Sequence, residues 1–152
     1  MKRLKLTPIL ALVLSAHLMG CSAHVIRQQS YVAEGIDEVT ERARVIVLEM
    51  RADELRDAGR RAIAEGRDVR AEVTDVAQRF DDGPVLVAYN LVANLKNAYV
   101  RALLLALHER RPGFAALIPI AADLARAWTA LRDAMGARGA DLPSNLIDEV
   151  PR

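Results

Sequence analysis

Apolar residues recur at alternating steps of four and three along the first half of the chain. The series consists of Val32, Ile36, Val39, Ala43, Ile46 and Met50. This spacing places one apolar stripe along one side of an α-helix, whereas a half-buried strand would alternate at every second residue. Because only about three heptads are present, the stripe can pack within one chain or pair with a second copy. We favour packing within the chain and keep a homo-oligomer through the Val32–Met50 face as the alternative.

The apolar spacing resumes at Leu55 and continues to Phe80. A single helix over residues 30–80 would be about 75 Å long, which is too long for a compact domain of this size. We therefore expect a break near Gly66, with Asp68 as the N-cap of a shorter helix.

The segment that follows the DDGP turn at residues 81–84 is strongly apolar, and we expect Pro84 to open a helix that ends near Arg110. Its polar residues form one narrow stripe, which comprises Asn90, Asn94, Asn97, Arg101 and His108. A helix that is apolar around most of its circumference is normally buried, so we predict the central helix of a bundle. The polar residues exclude a membrane span, because they would be costly in hydrocarbon.

A last helix is expected over residues 114–136, with Pro119 at its true start or at a kink. Residues 139–152 are predicted to be a flexible C-terminal tail, because no apolar periodicity continues there. The fold class is therefore all-α, an antiparallel bundle of three or four helices over residues 31–138.

Charge is distributed unevenly along the chain. Residues 34–82 hold 14 acidic residues and nine arginines, whereas residues 84–138 hold three acidic and seven basic residues. We expect these two segments to pack against each other. The chain lacks the strongly basic character of nucleic-acid-binding domains, so we predict no nucleic-acid partner.

The N-terminus has the organisation of a secretory signal. The basic sequence MKRLK precedes an apolar run of 15 residues, which is shorter than the roughly 20 residues that a membrane-spanning helix needs. The run ends in Leu18, Met19, Gly20 and Cys21, and Cys21 is the one cysteine of the chain. This sequence resembles the lipobox of bacterial lipoprotein precursors, and the resemblance covers residues 1–21 only.

The resemblance implies that residues 1–20 are a signal peptide and that Cys21 carries the lipid, followed by a short tether to residue 30. Two or more acyl chains would give a stable anchor. Ser22 is similar to the second residue of lipoproteins released to the outer membrane, so the outer membrane is favoured over the inner one. Two other interpretations stay open: CSA before His24 as an ordinary cleavage site, or the apolar run as a short uncleaved anchor.

The polar stripe is the leading candidate for partner contact, through Asn90, Asn94, Asn97 and Arg101. The stripe can also be simply the solvated side of a buried helix. Lys96 lies on another side of the helix, and we expect its stem to lie on apolar surface with its head at water or an acid. No residue pattern of the chain indicates a catalytic set, a metal site or a cofactor site.

These observations favour a lipid-anchored protein of the bacterial envelope, on the periplasmic side, with a non-enzymatic structural or protein-interaction role. The alternative is a helical binding module for a hydrophobic or amphipathic small ligand. An exposed polar stripe would favour the partner function, and an apolar cavity beside Val92, Leu103 and Leu107 would favour the ligand function.

Overall fold

The computed structural model describes residues 23–108 and 116–142, and these residues form four α-helices and no strand. The all-α prediction is confirmed. The helices are α1 (Ala23–Glu65), α2 (Val69–Asp81), α3 (Pro84–His108) and α4 (Leu117–Gly136). The predicted signal peptide, Cys21 and residues 143–152 of the predicted tail lie outside the described residues.

Helix α1 begins earlier than the sequence indicated. Residues 23–30, which we expected to serve as a tether, are helical throughout. Gln29 in this segment is only 1% exposed. Burial is tolerated because its amide oxygen accepts a hydrogen bond from Tyr99 of α3 at 2.8 Å. At Gln29 the second turn of α1 is therefore packed into the bundle.

The predicted break between α1 and α2 is confirmed. Gly66 has a φ of +66°, in the left-handed region that glycine adopts without a steric penalty. Asp68 then caps α2, because its Oδ1 accepts hydrogen bonds from the backbone N–H groups of Arg70 and Ala71 at 2.8 and 3.1 Å. Together they turn the chain back along α1.

The heptad face of α1 is buried within one chain. Val32, Ile36, Val39 and Ala43 are all at most 6% exposed. After Ala43 the buried position is Val47, whereas Ile46 and Met50 are only partly buried. The shift arises because a straight helix has about 3.6 residues per turn and drifts from a seven-residue repeat.

Helix α3 packs against all three other helices, as expected of a central helix, and most extensively against α4. Pro84 is its first residue, as predicted.

Helix α4 begins at Leu117, which places Pro119 in the first turn, where its missing N–H costs no hydrogen bond. The chain remains packed beyond α4, since Leu142 is 8% exposed and belongs to the core, although the sequence suggested a tail from residue 139.

Two long-range ion pairs join the acidic and basic segments, as the charge distribution predicted. Lys96 Nζ lies 2.6 Å from Asp37 Oδ1, and Arg138 pairs with Glu54. The first pair, together with the bond from Tyr99 to Gln29, sets α3 antiparallel to α1. We call the end where α1 begins and α3 ends the base, and residues 53–78, around the α1–α2 turn, the tip.

Candidate interaction surface

One side of α3 is covered by no other helix, and we call it the outer face. It comprises Val87, Asn90, Leu91, Asn94, Asn97, Arg101, Leu104, Leu105 and His108, all of which are exposed. Each of these residues has others of the set three, four or seven positions away along α3, so together they cover one side of the helix. The candidate residues Asn90, Asn94, Asn97 and Arg101 lie along its centre line.

Large apolar side chains flank this polar line. Val87 is 56% exposed, Leu91 50%, Leu104 60% and Leu105 61%. Within the part of the chain that the structure describes, no hydrogen bond or ion pair engages the three asparagines or Arg101. The outer face therefore offers amide donors and acceptors, one cation and four apolar side chains, each at least half exposed among the described residues.

The sequence analysis missed these four apolar residues. We expected the apolar residues of α3 to be buried, with only a narrow polar stripe at the surface. In the fold, α1, α2 and α4 cover only part of its circumference, so the neighbours of the stripe stay exposed too. The polar stripe itself held the signal, because residues within about 60° of it on a helical projection face the same way.

The inner side of α3 is fixed by a buried polar contact. Tyr99 has no exposed surface, and its hydroxyl donates to the Oε1 of Gln29 at 2.8 Å. Burial raises the pKa of Tyr99 to about 12, because the phenolate would be desolvated. This contact holds α3 against the first turns of α1 and thereby fixes which side of α3 faces outward.

Lys96 lies between α3 and α1 and not on the outer face. Its side chain is 21% exposed and its Nζ binds Asp37, so the expectation of a half-covered stem with a paired head is confirmed. On the same side of α1, the Nε–H of Arg44 is shared between the two carboxylate oxygens of Glu41 at 2.8 and 2.9 Å, and its Nη2 donates to Oε1 at 2.5 Å. This contact lowers the pKa of the Glu41 carboxyl.

A cleft of about 390 Å³ lies between the tip and the start of the C-terminal segment. Its lining consists of Glu54, Asp57, Arg61, Val76, Arg79, Phe80 and Arg138. Arg138 lies over the Phe80 ring at 5.3 Å from its centroid, an ordinary cation–π distance. Five of the seven lining residues are charged, so this cleft does not suit a hydrophobic ligand.

The described residues contain no group of three or more His, Cys, Asp or Glu that could hold a metal ion. None of the helices at residues 23–108 and 117–136 has the length and hydropathy needed to cross a membrane. His108 is exposed at the end of α3, and Cys21 lies outside the described residues.

Comparison with protein-family models, with curated proteins and with solved structures found no match to this chain.

Proposed function

We propose that this protein is a lipid-anchored component of the bacterial cell envelope with a non-enzymatic structural or protein-interaction role. In this proposal Cys21 carries the lipid, the helical bundle stands on the periplasmic side of the membrane, and the outer membrane is favoured over the inner one. The part of the outer face from Val87 to Arg101 is the surface that contacts another envelope protein.

The observation that carries the interaction role is the unpartnered outer face. Contiguous exposed apolar side chains commonly mark interaction sites, and interfaces combine such side chains with polar groups that fix orientation. The line Asn90, Asn94, Asn97 and Arg101 supplies the polar groups, and Val87 and Leu91 supply apolar area beside them. A helix docked along this line would bury both kinds of side chain together.

The ligand-binding alternative has less support. It needs an apolar cavity beside α3, but Val92 and Leu103 are 0% and 4% exposed and belong to the packed core. Leu107 packs against the same core. The charged cleft near the tip offers polar contacts rather than the mostly apolar lining of a hydrophobic-ligand site.

Site-specific photo-crosslinking in the native envelope tests the interaction role. A photoreactive residue at Asn94 should give a discrete crosslinked species, and the same residue at Ala130, exposed on α4, is the matched control. Adding Leu91→Asp to the Asn94 probe should abolish the species, since a charge would have to be desolvated in the contact. Equal crosslinking at positions 94 and 130, or no effect of Leu91→Asp, would contradict the proposal.

Mass spectrometry of the N-terminal peptide tests the anchor separately. The protein isolated from a bacterium that processes lipoproteins should begin at Cys21 and carry acyl chains, and Cys21→Ser should carry none. A chain that keeps residues 1–20, or that begins at His24, would rule out the proposed anchor.

A further inference from the structure

The base of the bundle places the end of α3 beside the beginning of α1. Tyr99 of α3 binds Gln29 of α1, so these two residues lie at the same level. Ala23 lies six residues before Gln29, and Leu104 and Leu105 lie five and six residues after Tyr99. At 1.5 Å per residue each distance is about 8–9 Å along antiparallel axes. The Lys96–Asp37 pair gives a register about five residues farther along α1, so Leu104 and Leu105 lie level with the first two turns of α1.

These two leucines are among the most exposed large apolar side chains of the described residues, at 60% and 61%. They are adjacent in sequence at the lower end of the outer face, where α3 approaches its last residue, His108. Adjacent leucines with this exposure form an apolar surface that no described part of the chain covers.

The short length of chain between Cys21 and α1 indicates what covers Leu104 and Leu105. Only Ser22 separates Cys21 from Ala23, the first residue of α1. Two residues span at most about 7 Å, even when fully extended. A lipid on Cys21 would thus hold the first turn of α1, and with it Leu104 and Leu105, within reach of the bilayer interface.

The charge distribution at the base also suits contact with a membrane surface. No acidic residue occurs at residues 23–33, 84–108 or 117–122, the described parts of the three helices that meet there. Arg101 is exposed about one turn above Leu104 and Leu105. An anionic membrane surface attracts such a cation and would repel carboxylates.

We infer that the base of the bundle is a second membrane contact, in which Leu104 and Leu105 enter the boundary between headgroups and acyl chains. Apolar faces of interfacial helices lie about 5–10 Å deep, which matches the depth of one or two helical turns at this end. The Arg101 guanidinium then lies at the level of the lipid phosphates. This inference rests on the proposed lipid at Cys21, and it orients the tip away from the membrane.

Depth-dependent fluorescence quenching tests the inference on the full processed protein, reconstituted into vesicles of phosphatidylethanolamine and phosphatidylglycerol. Because a lipidated Cys21 has no free thiol, a cysteine introduced by Leu105→Cys is the one site for a polarity-sensitive fluorophore. Leu91→Cys is the matched control, since Leu91 is 50% exposed on the same outer face, 14 residues and about 21 Å farther from the base.

Nitroxide-labelled lipids should quench the probe at position 105 several-fold more strongly than the probe at position 91. The emission of the position-105 probe should also shift to shorter wavelength when vesicles are present. Acylated protein with equal quenching at both positions would overturn this inference and leave the proposed anchor intact. Unmodified Cys21 in the same preparation would overturn the anchor and, with it, the inference.

Discussion

The bundle has a three-helix part, formed by α3, α4 and the residues of α1 that face them, and a two-helix tip, and different interactions stabilise the two parts. The three-helix part encloses large buried side chains such as Tyr99, Leu124 and Trp128. The tip is a two-helix hairpin, and its buried residues are small or medium-sized: Ala58, Ala62 and Val76. These three residues lie outside the main core cluster.

Ion pairs at the tip are numerous, but they lie at the surface. Arg56 pairs with Asp53, and Arg60 approaches Asp57, with every side chain at least 57% exposed. Exposed pairs of this kind contribute little, because water and salt screen them. Apolar burial therefore stabilises the three-helix part more than the tip, and the tip should open locally before the whole bundle unfolds.

The largest expected effect is that of Leu124→Ala in the three-helix part. Leu124 is fully buried, so truncation should lower the free energy of unfolding by about 2–5 kcal/mol through lost burial and a residual cavity. Val76→Ala at the tip removes two methyl groups and should cost about 1–2 kcal/mol. Hydrogen exchange should speed up throughout the bundle in the first variant and only at the tip in the second; the same pattern in both would contradict the comparison.

The next effect concerns the buried contact of Tyr99. Its folded-state pKa of about 12 exceeds the usual value of 10.0, so the folded state disfavours ionisation. Below pH 10 tyrosine is neutral in both the folded and the unfolded state, so the free energy of unfolding is unaffected by this group. As the pH rises from 10 towards 12, the unfolded tyrosine ionises first, and the free energy of unfolding falls by up to about 3 kcal/mol. Tyr99→Phe should lose about 1–3 kcal/mol at neutral pH, because the Gln29 oxygen is left unpaired.

Chemical denaturation between pH 8 and 12 measures this difference. The stability of the wild-type protein should fall more steeply above pH 10 than that of Tyr99→Phe, in which the buried titration is absent. Parallel curves for the two proteins would show that Tyr99 is not buried as the fold requires.

Two glycines at the tip should respond to alanine in opposite directions. Gly66→Ala places a side chain at a φ of +66° and should cost about 1–2 kcal/mol, although no atom lies within 4 Å of the added Cβ. Gly59→Ala should gain about 0.5–1 kcal/mol, because Gly59 is inside α1 and the new Cβ meets Val73 at 3.8 Å, an ordinary contact. Thermal unfolding measures both, and equal shifts would refute the local geometry.

The smallest expected effect is at the Arg51–Asp81 ion pair, where the tip joins the three-helix part. Arg51 binds Asp81 through two hydrogen bonds at 2.8 and 2.9 Å, and this contact lowers the pKa of the Asp81 carboxyl. The stabilisation is present above the usual aspartate pKa and is lost as the pH falls through the lowered one. Asp81→Asn should therefore lower the melting temperature slightly at pH 7 and not at all in strong acid; a difference that persists there would have another cause.

Much of the helical organisation followed from local chemistry. The break at Gly66, the cap at Asp68 and the start at Pro84 were predicted correctly, because each depends on a residue whose backbone preference acts within a few positions. The predicted tether was wrong for residues 23–30, because the burial of Gln29 depends on Tyr99, 70 residues later in the chain. No local pattern reports such a partner.

The candidate surface was likewise predicted in part from the sequence and revealed in part by the fold. The sequence identified the polar line at Asn90, Asn94, Asn97 and Arg101 from spacing alone, since helical periodicity assigns residues to a side. The same projection places Leu104 and Leu105 beside this line, but it does not give the width of the exposed side, because exposure depends on how far neighbouring helices reach around α3.

The sequence by itself determined the all-α class, the break at Gly66, the starts of α2 and α3, and the likeness of residues 1–21 to a lipoprotein signal, because each of these depends on residues close together in the chain. Only the tertiary structure decided that one side of α3 stays uncovered, and that α3 lies antiparallel to α1 with its end towards the N-terminal turns of α1. The physical reason is that burial belongs to pairs of surfaces, so it is set by contacts between residues far apart in the chain and not by either segment alone.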